Sequence, residues 1–336
     1  MTAMIRTNAA EIREFDSSFQ VRGVREGQTF PASVGSDARV LFDRTVPRSL
    51  VHRAAVSEVF LTDLCVTGEN TFQVGAQWPR AHSFYSLTTV PRHDPMLFAE
   101  SLRQATLVLA HQVFDVPMDW KFLSHEKSYQ ISEGALVLGD RPADILFAVT
   151  AREVKRRGGT VSGMITDFDC YRDGECVGSA SVRWSCVSPA AYRRVRGGRD
   201  VPPPVTGVLP AAVTPQSVGR LSERDVVLSA GADGHSWQVR VDRDHPVLFD
   251  HPVDHVPGMV LMEAGRQAAK LVHGRADLLP VGCRFAFERY VELDTPVVVT
   301  ALPVRSEVPG ALGVEAIFDQ DGRRVARGHL DMLVRG

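Results

Sequence analysis

The sequence predicts an α+β fold built twice in tandem, in which each copy has one long apolar helix wrapped by an antiparallel sheet. The motif E-x-x-R-Q-A begins at Glu100 and again at Glu263, an offset of 163 residues (263 − 100), and an apolar stretch follows each time. A D-G turn between alternating segments occurs at 173–174 and at 321–322, which is a strong hairpin signal. Duplication of this kind determines the whole architecture.

Each copy begins with a strand, a turn and a second strand, and continues into its helix. The first helix is predicted at 95–113, because Asp94 and Pro95 are suitable as N-cap and first helical residue. The second is predicted at 258–273; it is apolar on most sides, so we expect it in the interior. Further strands are predicted at 149–154, 160–168, 180–187 and 295–308.

The two copies differ in length between the helix and the hairpin. The D-G turns are 148 residues apart (321 − 173), so the first copy holds about fifteen more residues there, which we interpret as a loop insertion. We expect an N-terminal extension at 1–40, a first repeat at 41–187, a linker at 188–217 and a second repeat at 218–336. The linker is rich in proline and glycine. Its RRVRGGR segment is interpreted as a solvated basic loop, with docking of an acidic partner as the alternative.

The composition is that of an ordinary globular protein and restricts the function. The chain has 336 residues, 44% of them hydrophobic and 23% charged, which suffices for two domains. A net charge of −2 gives no basic excess, so we expect no nucleic-acid partner. There is no apolar run long enough for a membrane span and no apolar core of a secretory signal. The five cysteines form no CxxC pair, so we predict reduced thiols and a cytoplasmic location.

The segment 249–268, FDHPVDHVPGMVLMEAGRQA, combines a histidine-containing loop, a Pro-Gly turn and a helix that carries an acidic residue. The first copy adds E-x-x-R-Q, V-H-R at 51–53 and A-Q-W-P-R-A-H-S-F-Y at 76–85. With these motifs the chain resembles the A-factor biosynthesis (AfsA-like) γ-butyrolactone synthases, from about Phe42 to the C-terminus. The resemblance implies two tandem hot-dog domains that form an internal pseudo-dimer, either as a monomer or within a homodimer.

The same segment is similar to the hot-dog dehydratases of fatty-acid synthesis, with two departures. Their G-H-F-P loop is replaced by D-H-P at 250–252, and the first copy reads R-H-D-P-M at 92–96 in place of D-H-V-P-G. These departures argue against dehydration, and the two sites need not be equivalent.

The family resemblance implies an acyltransferase. It would join a β-ketoacyl group, carried as a thioester on acyl carrier protein, to the hydroxyl of dihydroxyacetone phosphate. The phosphorylated ester would lead to a γ-butyrolactone or furan-type signalling molecule, and no cofactor is expected. A hot-dog dehydratase or thioesterase remains an alternative, as does a non-catalytic protein that binds an acyl ligand.

Such a reaction needs a base, because a hydroxyl is a poor nucleophile. Burial raises the pKa of a carboxylate on an apolar helix, which makes Glu263 the first candidate and Glu100 the second. His251 is a third candidate if it faces the substrate, and a role in stabilising its loop is the alternative.

Substrate binding suggests a second set of residues. A phosphate favours arginine, which points to Arg266 and to its equivalent Arg103, although a Glu-Arg spacing of three is also ordinary salt-bridge spacing. The thioester oxygen requires donors, which the amides around Gly258 can supply at the start of a helix. The remaining candidates are Gln104 and Gln267, which bind substrate or satisfy backbone groups, and His255, which orders the Pro-Gly loop. We expect no metal site, because His251 and His255 have no third ligand at a suitable spacing.

Overall fold

The predicted order of elements is confirmed in a computed structural model, which describes residues 23–24, 29, 40–86, 91–204, 208–229 and 234–334. The first half contains β1 (Leu61–Gly68), β2 (Thr71–Trp78), α1 (Pro95–Gln112), β3 (Lys121–Ile131), β4 (Ala143–Arg157), β5 (Thr160–Arg172) and β6 (Glu175–Val187). A short helix, α2 (Pro189–Arg196), follows. The second half contains β7 (Leu228–Ser229), β8 (Ser236–Val239), α3 (Gly258–Val272), β9 (Leu279–Phe287), β10 (Val297–Val304), β11 (Ala311–Gln320) and β12 (Arg323–Leu333).

The strands of both halves form one twelve-stranded sheet in the described part of the chain. Its order is β1-β2-β4-β5-β6-β3-β9-β12-β11-β10-β8-β7, so the second half repeats the order of the first in reverse. The halves join through antiparallel pairing of β3 with β9, in which Glu126 lies opposite Ala286. This arrangement is the internal pseudo-dimer, with a pseudo-twofold axis through the β3–β9 pair.

Both long helices are buried against the sheet, as their apolar sequences predict. The Asp94 side chain caps α1 by accepting a hydrogen bond from the Met96 amide at 2.9 Å, and Pro95 occupies the first turn. Helix α3 begins after Pro257, which provides no side-chain cap. The predicted helix bounds are correct to within one residue in both copies.

The D-G turns form the predicted hairpins. Asp173 and Gly174 join β5 to β6, Asp321 and Gly322 join β11 to β12, and all four have positive φ, as a two-residue type I′ turn requires. The interpretation of a loop insertion is wrong in large part, because the extra residues lengthen strands: β4 has 15 residues and β10 has 8. The strand predicted at 295–308 is also shorter than expected, since β10 ends at Val304.

The segment predicted to be a solvated basic loop is instead the end of a docked helix. Arg196 is the last residue of α2 and its side chain is 2% exposed. Its guanidinium donates to Asp254 at 3.0 Å and to both carboxylate oxygens of Glu292 at 2.8 Å. Sequence reasoning missed this contact because the acidic partners lie 58 and 96 residues away.

Removal of the Arg196 side chain should therefore destabilise the second half. Arg196→Ala removes the cation that bridges two partly buried carboxylates, which we expect to lower the free energy of unfolding by about 3 kcal/mol. Urea denaturation followed by tryptophan fluorescence measures the loss. Arg194→Ala is the matched control, because Arg194 lies exposed on the same helix, and it should leave the midpoint unchanged.

The structure also bears on the predictions about the cysteines, membrane-spanning helices and the N-terminal extension. All five cysteines are free thiols, in agreement with the prediction. In the described residues no helix combines the length and apolar character needed to cross a membrane. The proposed N-terminal extension lies outside the described residues except for positions 23–24, 29 and 40.

Candidate active site

The E-x-x-R-Q motif of the first copy links α1 by hydrogen bonds to the segment that precedes β1. Arg53 donates to Glu100 Oε1 through Nε at 3.1 Å, and its Nη2 lies 2.7 Å from the same oxygen. Gln104 donates to Glu100 Oε1 and to the Glu58 carbonyl, both at 2.7 Å, and accepts from the Phe60 amide at 2.9 Å. Glu100 and Gln104 are fully buried.

The second copy repeats this arrangement nearly atom for atom. Arg220 donates to Glu263 Oε1 through Nε at 3.2 Å and through Nη2 at 2.8 Å. Gln267 donates to the same oxygen at 2.7 Å and to the Asp225 carbonyl at 2.9 Å, and accepts from the Val227 amide at 3.0 Å. Both glutamines therefore satisfy buried backbone groups, which was the alternative to substrate binding.

Each copy also contacts the loop that precedes the helix of the other copy. Arg53 Nη1 donates to the Val247 carbonyl at 3.0 Å, and Arg220 Nη1 donates to the Phe84 carbonyl at 2.6 Å. Asp250 adds a further contact between the copies, because its carboxylate accepts hydrogen bonds from the Ala54 and Ala55 amides. The structure thus creates two pseudo-equivalent sites, each made from the helix of one copy and the loop of the other.

The site around Glu263 is closed by ion pairs. Arg266 Nη2 lies 2.5 Å from Glu263 Oε2, and its Nη1 donates to Asp94 Oδ1 at 2.6 Å. The Arg266 side chain is 2% exposed, and those of Asp94 and Glu263 are fully buried. Arg220 lies 4.1 Å from the centre of the Phe84 ring. Asp94, Glu263, Arg220 and Arg266 are thus paired with one another.

The site around Glu100 is open because one residue differs. Pro257 stands at the position equivalent to Asp94, since both immediately precede the helix of their copy. Arg103 therefore contacts Glu100, at 2.8 and 2.9 Å, and the Val51 carbonyl at 3.1 Å, but has no second carboxylate. Its side chain is 27% exposed, against 2% for Arg266.

Arg103 opens into a cavity of about 700 Å³, which is within the usual range for small-molecule sites. Several lining residues, from both copies, are basic: His52, Arg103, Lys121, Lys127, His251 and His255. Three are acidic: Asp200, Asp250 and Asp254. The apolar ones include Leu107, Phe122, Trp184, Met259, Met262 and Phe287. A single cavity therefore presents both cationic and apolar side chains to a ligand.

Burial and neighbouring charges shift the pKa values of Glu100 and Lys127 at this cavity. Burial alone would raise the pKa of Glu100, but the positive charges of Arg103 and Arg53 hold it well below its usual value. The expectation of a raised pKa is thus wrong for Glu100, which stays ionised and is a weak base at neutral pH. Burial, assisted by Arg103, lowers the pKa of Lys127 to about 8. Lys127 donates to the Ala99 carbonyl at 3.1 Å.

Four of the sequence-predicted site residues, Arg103, His251, His255 and Gly258, line this cavity. The His255 ring lies 2.9 Å from Asp254, which agrees with a role in ordering the loop, and the partly exposed His251 lies 3.4 Å from Asp250. Gly258 opens α3 with a close approach, because a Cβ there would lie 3.0 Å from the Phe287 ring. The amides at the start of α3 thus border the cavity without a side-chain cap.

The geometry favours the first copy as the site that is open to a ligand, whereas the sequence analysis ranked the second copy first. Glu263, Arg266 and Gln267 do not line the cavity, and Arg266 has no free face for a phosphate because Asp94 and Glu263 enclose it. Glu100 does not line the cavity either, but it contacts Arg103, which does. The sequence contained the signal for this reversal, since D-P precedes one helix and P-G the other. Reasoning from the shared E-x-x-R-Q motif missed Arg53, Lys121 and Lys127.

Restoring the missing carboxylate should close the open site. In Pro257→Asp the new side chain caps α3, a change worth up to about 1 kcal/mol of stability, and it competes for Arg103 and for the helix amides. We expect at least about a tenfold loss of kcat/KM with an unchanged or raised unfolding midpoint. Pro257→Asn is the matched control, because it caps without charge and should retain more activity. Equal losses in both variants would contradict this explanation.

Comparison with known proteins agrees with the repeated architecture. The model of the A-factor biosynthesis hotdog domain matches the chain twice, at residues 36–188 and 206–335. The chain belongs to this family. A 2-oxo-3-(phosphooxy)propyl 3-oxoalkanoate synthase of Streptomyces virginiae is 43% identical over 283 residues, which cover 84% of this chain and 95% of that protein. The synthase of the same name from Streptomyces coelicolor is 37% identical over 284 residues, covering 83% and 89%. The family member described here is a transferase-type enzyme.

One solved structure also aligns with most of the chain. The 12:0-ACP thioesterase from Umbellularia californica aligns over 80% of this chain and 99% of its own, with a TM-score of 0.46 and 11% identity.

Proposed function

We propose that this enzyme condenses a β-ketoacyl thioester with dihydroxyacetone phosphate to form a β-ketoacyl phosphoglycerone ester. The acyl group is delivered by acyl carrier protein, and the ester serves the biosynthesis of a γ-butyrolactone or furan-type signalling molecule. The names of the two Streptomyces relatives support this assignment, since a 2-oxo-3-(phosphooxy)propyl 3-oxoalkanoate is the ester of these two components.

The observation that carries the proposal is Arg103, which pairs with Glu100 but has no second carboxylate and lines a cavity that also has apolar lining residues. A phosphate is best bound by an arginine fork, and Lys121 adds a second cation on the same lining. An acyl chain requires an apolar wall, which Trp184, Met262 and their neighbours supply. Both substrates thus have a matching surface in one cavity.

The roles of the candidates follow from this assignment. Arg103 binds the phosphate, and the ionised Glu100 holds Arg103 and Arg53 in place. The uncapped amides at Gly258 and Met259 stabilise the negative charge that develops on the thioester oxygen. His251 and His255 lie on the loop before α3 and line the same cavity, and the closed site around Glu263 and Arg266 stabilises the fold.

The test is a reconstituted reaction with a β-ketoacyl thioester, on carrier protein and on a pantetheine mimic, together with dihydroxyacetone phosphate. Mass spectrometry should detect the phosphorylated ester only when both substrates are present. Release of the free β-keto acid independent of dihydroxyacetone phosphate would favour a thioesterase, and an enoyl product from a hydroxyacyl thioester would favour a dehydratase. Binding without turnover across several chain lengths would leave a ligand-binding protein.

A further inference from the structure

His52 is a strained residue at the cavity. It has φ 50° and ψ 54° at the end of a short 3-10 turn, in the left-handed region that disfavours a side chain. The equivalent residue of the second copy is Gly219, with φ 69° and ψ 33° after the same kind of turn. The V-H-R and V-G-R motifs thus differ at the one position where glycine relieves strain. Left-handed residues of this kind occur in turns and are also enriched at active sites.

The ring of His52 lies in a defined hydrogen-bonded chain. Its Nε2 lies 2.9 Å from His111 Nε2, and His111 Nδ1 lies 2.7 Å from the Val116 carbonyl. A carbonyl only accepts, so His111 Nδ1 carries a proton and, in the neutral ring, His111 Nε2 is an acceptor. The proton of the His52–His111 bond therefore resides on His52 Nε2, and His52 Nδ1 retains its lone pair. Phe122 packs edge-on against both rings at 5.6 and 5.3 Å between centroids.

We propose that His52 is the general base of the condensation, with Nδ1 as the proton acceptor and His111 as the residue that positions it. The proposal rests on the proposed function and names a catalytic residue for it. As the hydroxyl oxygen of dihydroxyacetone phosphate attacks the thioester carbonyl, its proton passes to Nδ1. When the tetrahedral intermediate collapses, the C–S bond breaks and the leaving sulfur receives this proton. The products are the ester and the free thiol of the carrier, and His52 is again neutral.

Burial and the positive charges around His52 keep its pKa low, and a bound phosphate would bring the pKa closer to that of an effective base. Burial lowers its pKa to about 3, and His111, Arg103, His251 and Lys121 act in the same direction. The lowered pKa favours the neutral ring at physiological pH, and it makes the ring a weak base. A phosphate dianion bound at Arg103 and Lys121 would offset part of this positive field and raise the pKa of His52. We expect the substrate to strengthen the base that deprotonates it.

The decisive variant is His52→Gly, which installs the residue that the second copy carries. We expect ester formation to fall by at least about 100-fold while the unfolding midpoint stays at or above that of the wild type. Between pH 6.5 and about 3, His52 is protonated in the unfolded chain but neutral in the folded protein. Its contribution to the free energy of unfolding therefore becomes more unfavourable as the pH falls. The variant should therefore gain relative stability in mild acid. Asp115→Gly is the matched control, because Asp115 is exposed and has φ 52°; it should keep full activity.

The outcomes separate this proposal from the proposed function. If the wild type forms ester and His52→Gly stays within about threefold of it, or loses stability along with activity, the proposal is overturned. If the wild type forms no ester, the proposed function fails and nitrogen-15 NMR still tests the base. An unprotonated Nδ1 at neutral pH, with a pKa that rises when inorganic phosphate is added, supports the proposal; a protonated Nδ1 or an unmoved pKa overturns it.

Discussion

Arg103→Gln should reduce kcat/KM for dihydroxyacetone phosphate by about 100-fold with little loss of stability. The substitution removes the one arginine fork that faces the cavity without a second carboxylate, and a charge-assisted pair of this kind contributes about 1.5–3 kcal/mol. Glu100 keeps its contacts with Arg53 and Gln104, so the fold should tolerate the change. Steady-state kinetics with each substrate varied in turn measures the effect, and the thioester KM should change much less.

A variant that retains near-normal kcat/KM would contradict the assignment of the phosphate site. Loss of activity together with a large fall in the unfolding midpoint would instead indicate that Arg103 has a structural role, like its counterpart in the second copy.

Arg266→Gln should have the opposite effect and lower the free energy of unfolding by about 3–5 kcal/mol. Arg266 is the cation between Asp94 and Glu263, and its removal leaves two fully buried carboxylates with fewer partners. Uncompensated buried charges are among the most destabilising changes known. Arg220 still contacts Glu263, so most of the cost falls on Asp94, which also caps α1.

The activity of the fraction of Arg266→Gln that remains folded should be close to that of the wild type. Chemical denaturation gives the stability, and kinetics at a temperature well below the midpoint give the activity. A stable, folded and inactive Arg266→Gln would show that the Glu263 site performs the chemistry, and our ranking of the two sites would be wrong.

The fold was predictable because its signals are local and occur twice. The D-G turns, the apolar helices and their bounds are each encoded within about twenty residues, and repetition of the pattern distinguishes them from chance. The pairing of β3 with β9 was not predictable in this way, since Glu126 and Ala286 meet only when both halves are folded. Helix α2 was missed for the same reason, because proline and glycine next to RRVR indicated a loop while Asp254 and Glu292 determined the outcome.

The site was predictable in its residue types but not in its location. The repeated E-x-x-R-Q motif identified two pseudo-equivalent networks, and sequence reasoning alone ranked the second copy first. The deciding contact, between Arg266 and Asp94, spans 172 residues and joins opposite copies. Only the structure shows that Asp94 neutralises one arginine while Pro257 leaves the other exposed to the cavity.

The central claim is that one of the two pseudo-equivalent sites binds substrate. Native mass spectrometry of the whole protein with dihydroxyacetone phosphate, which cannot react in the absence of a thioester, counts the bound molecules directly. The account predicts one molecule per chain in the wild type and in Arg266→Gln, and at least about a tenfold weaker complex in Pro257→Asp. Two molecules per chain, or a single molecule lost in Arg266→Gln but kept in Pro257→Asp, would contradict it.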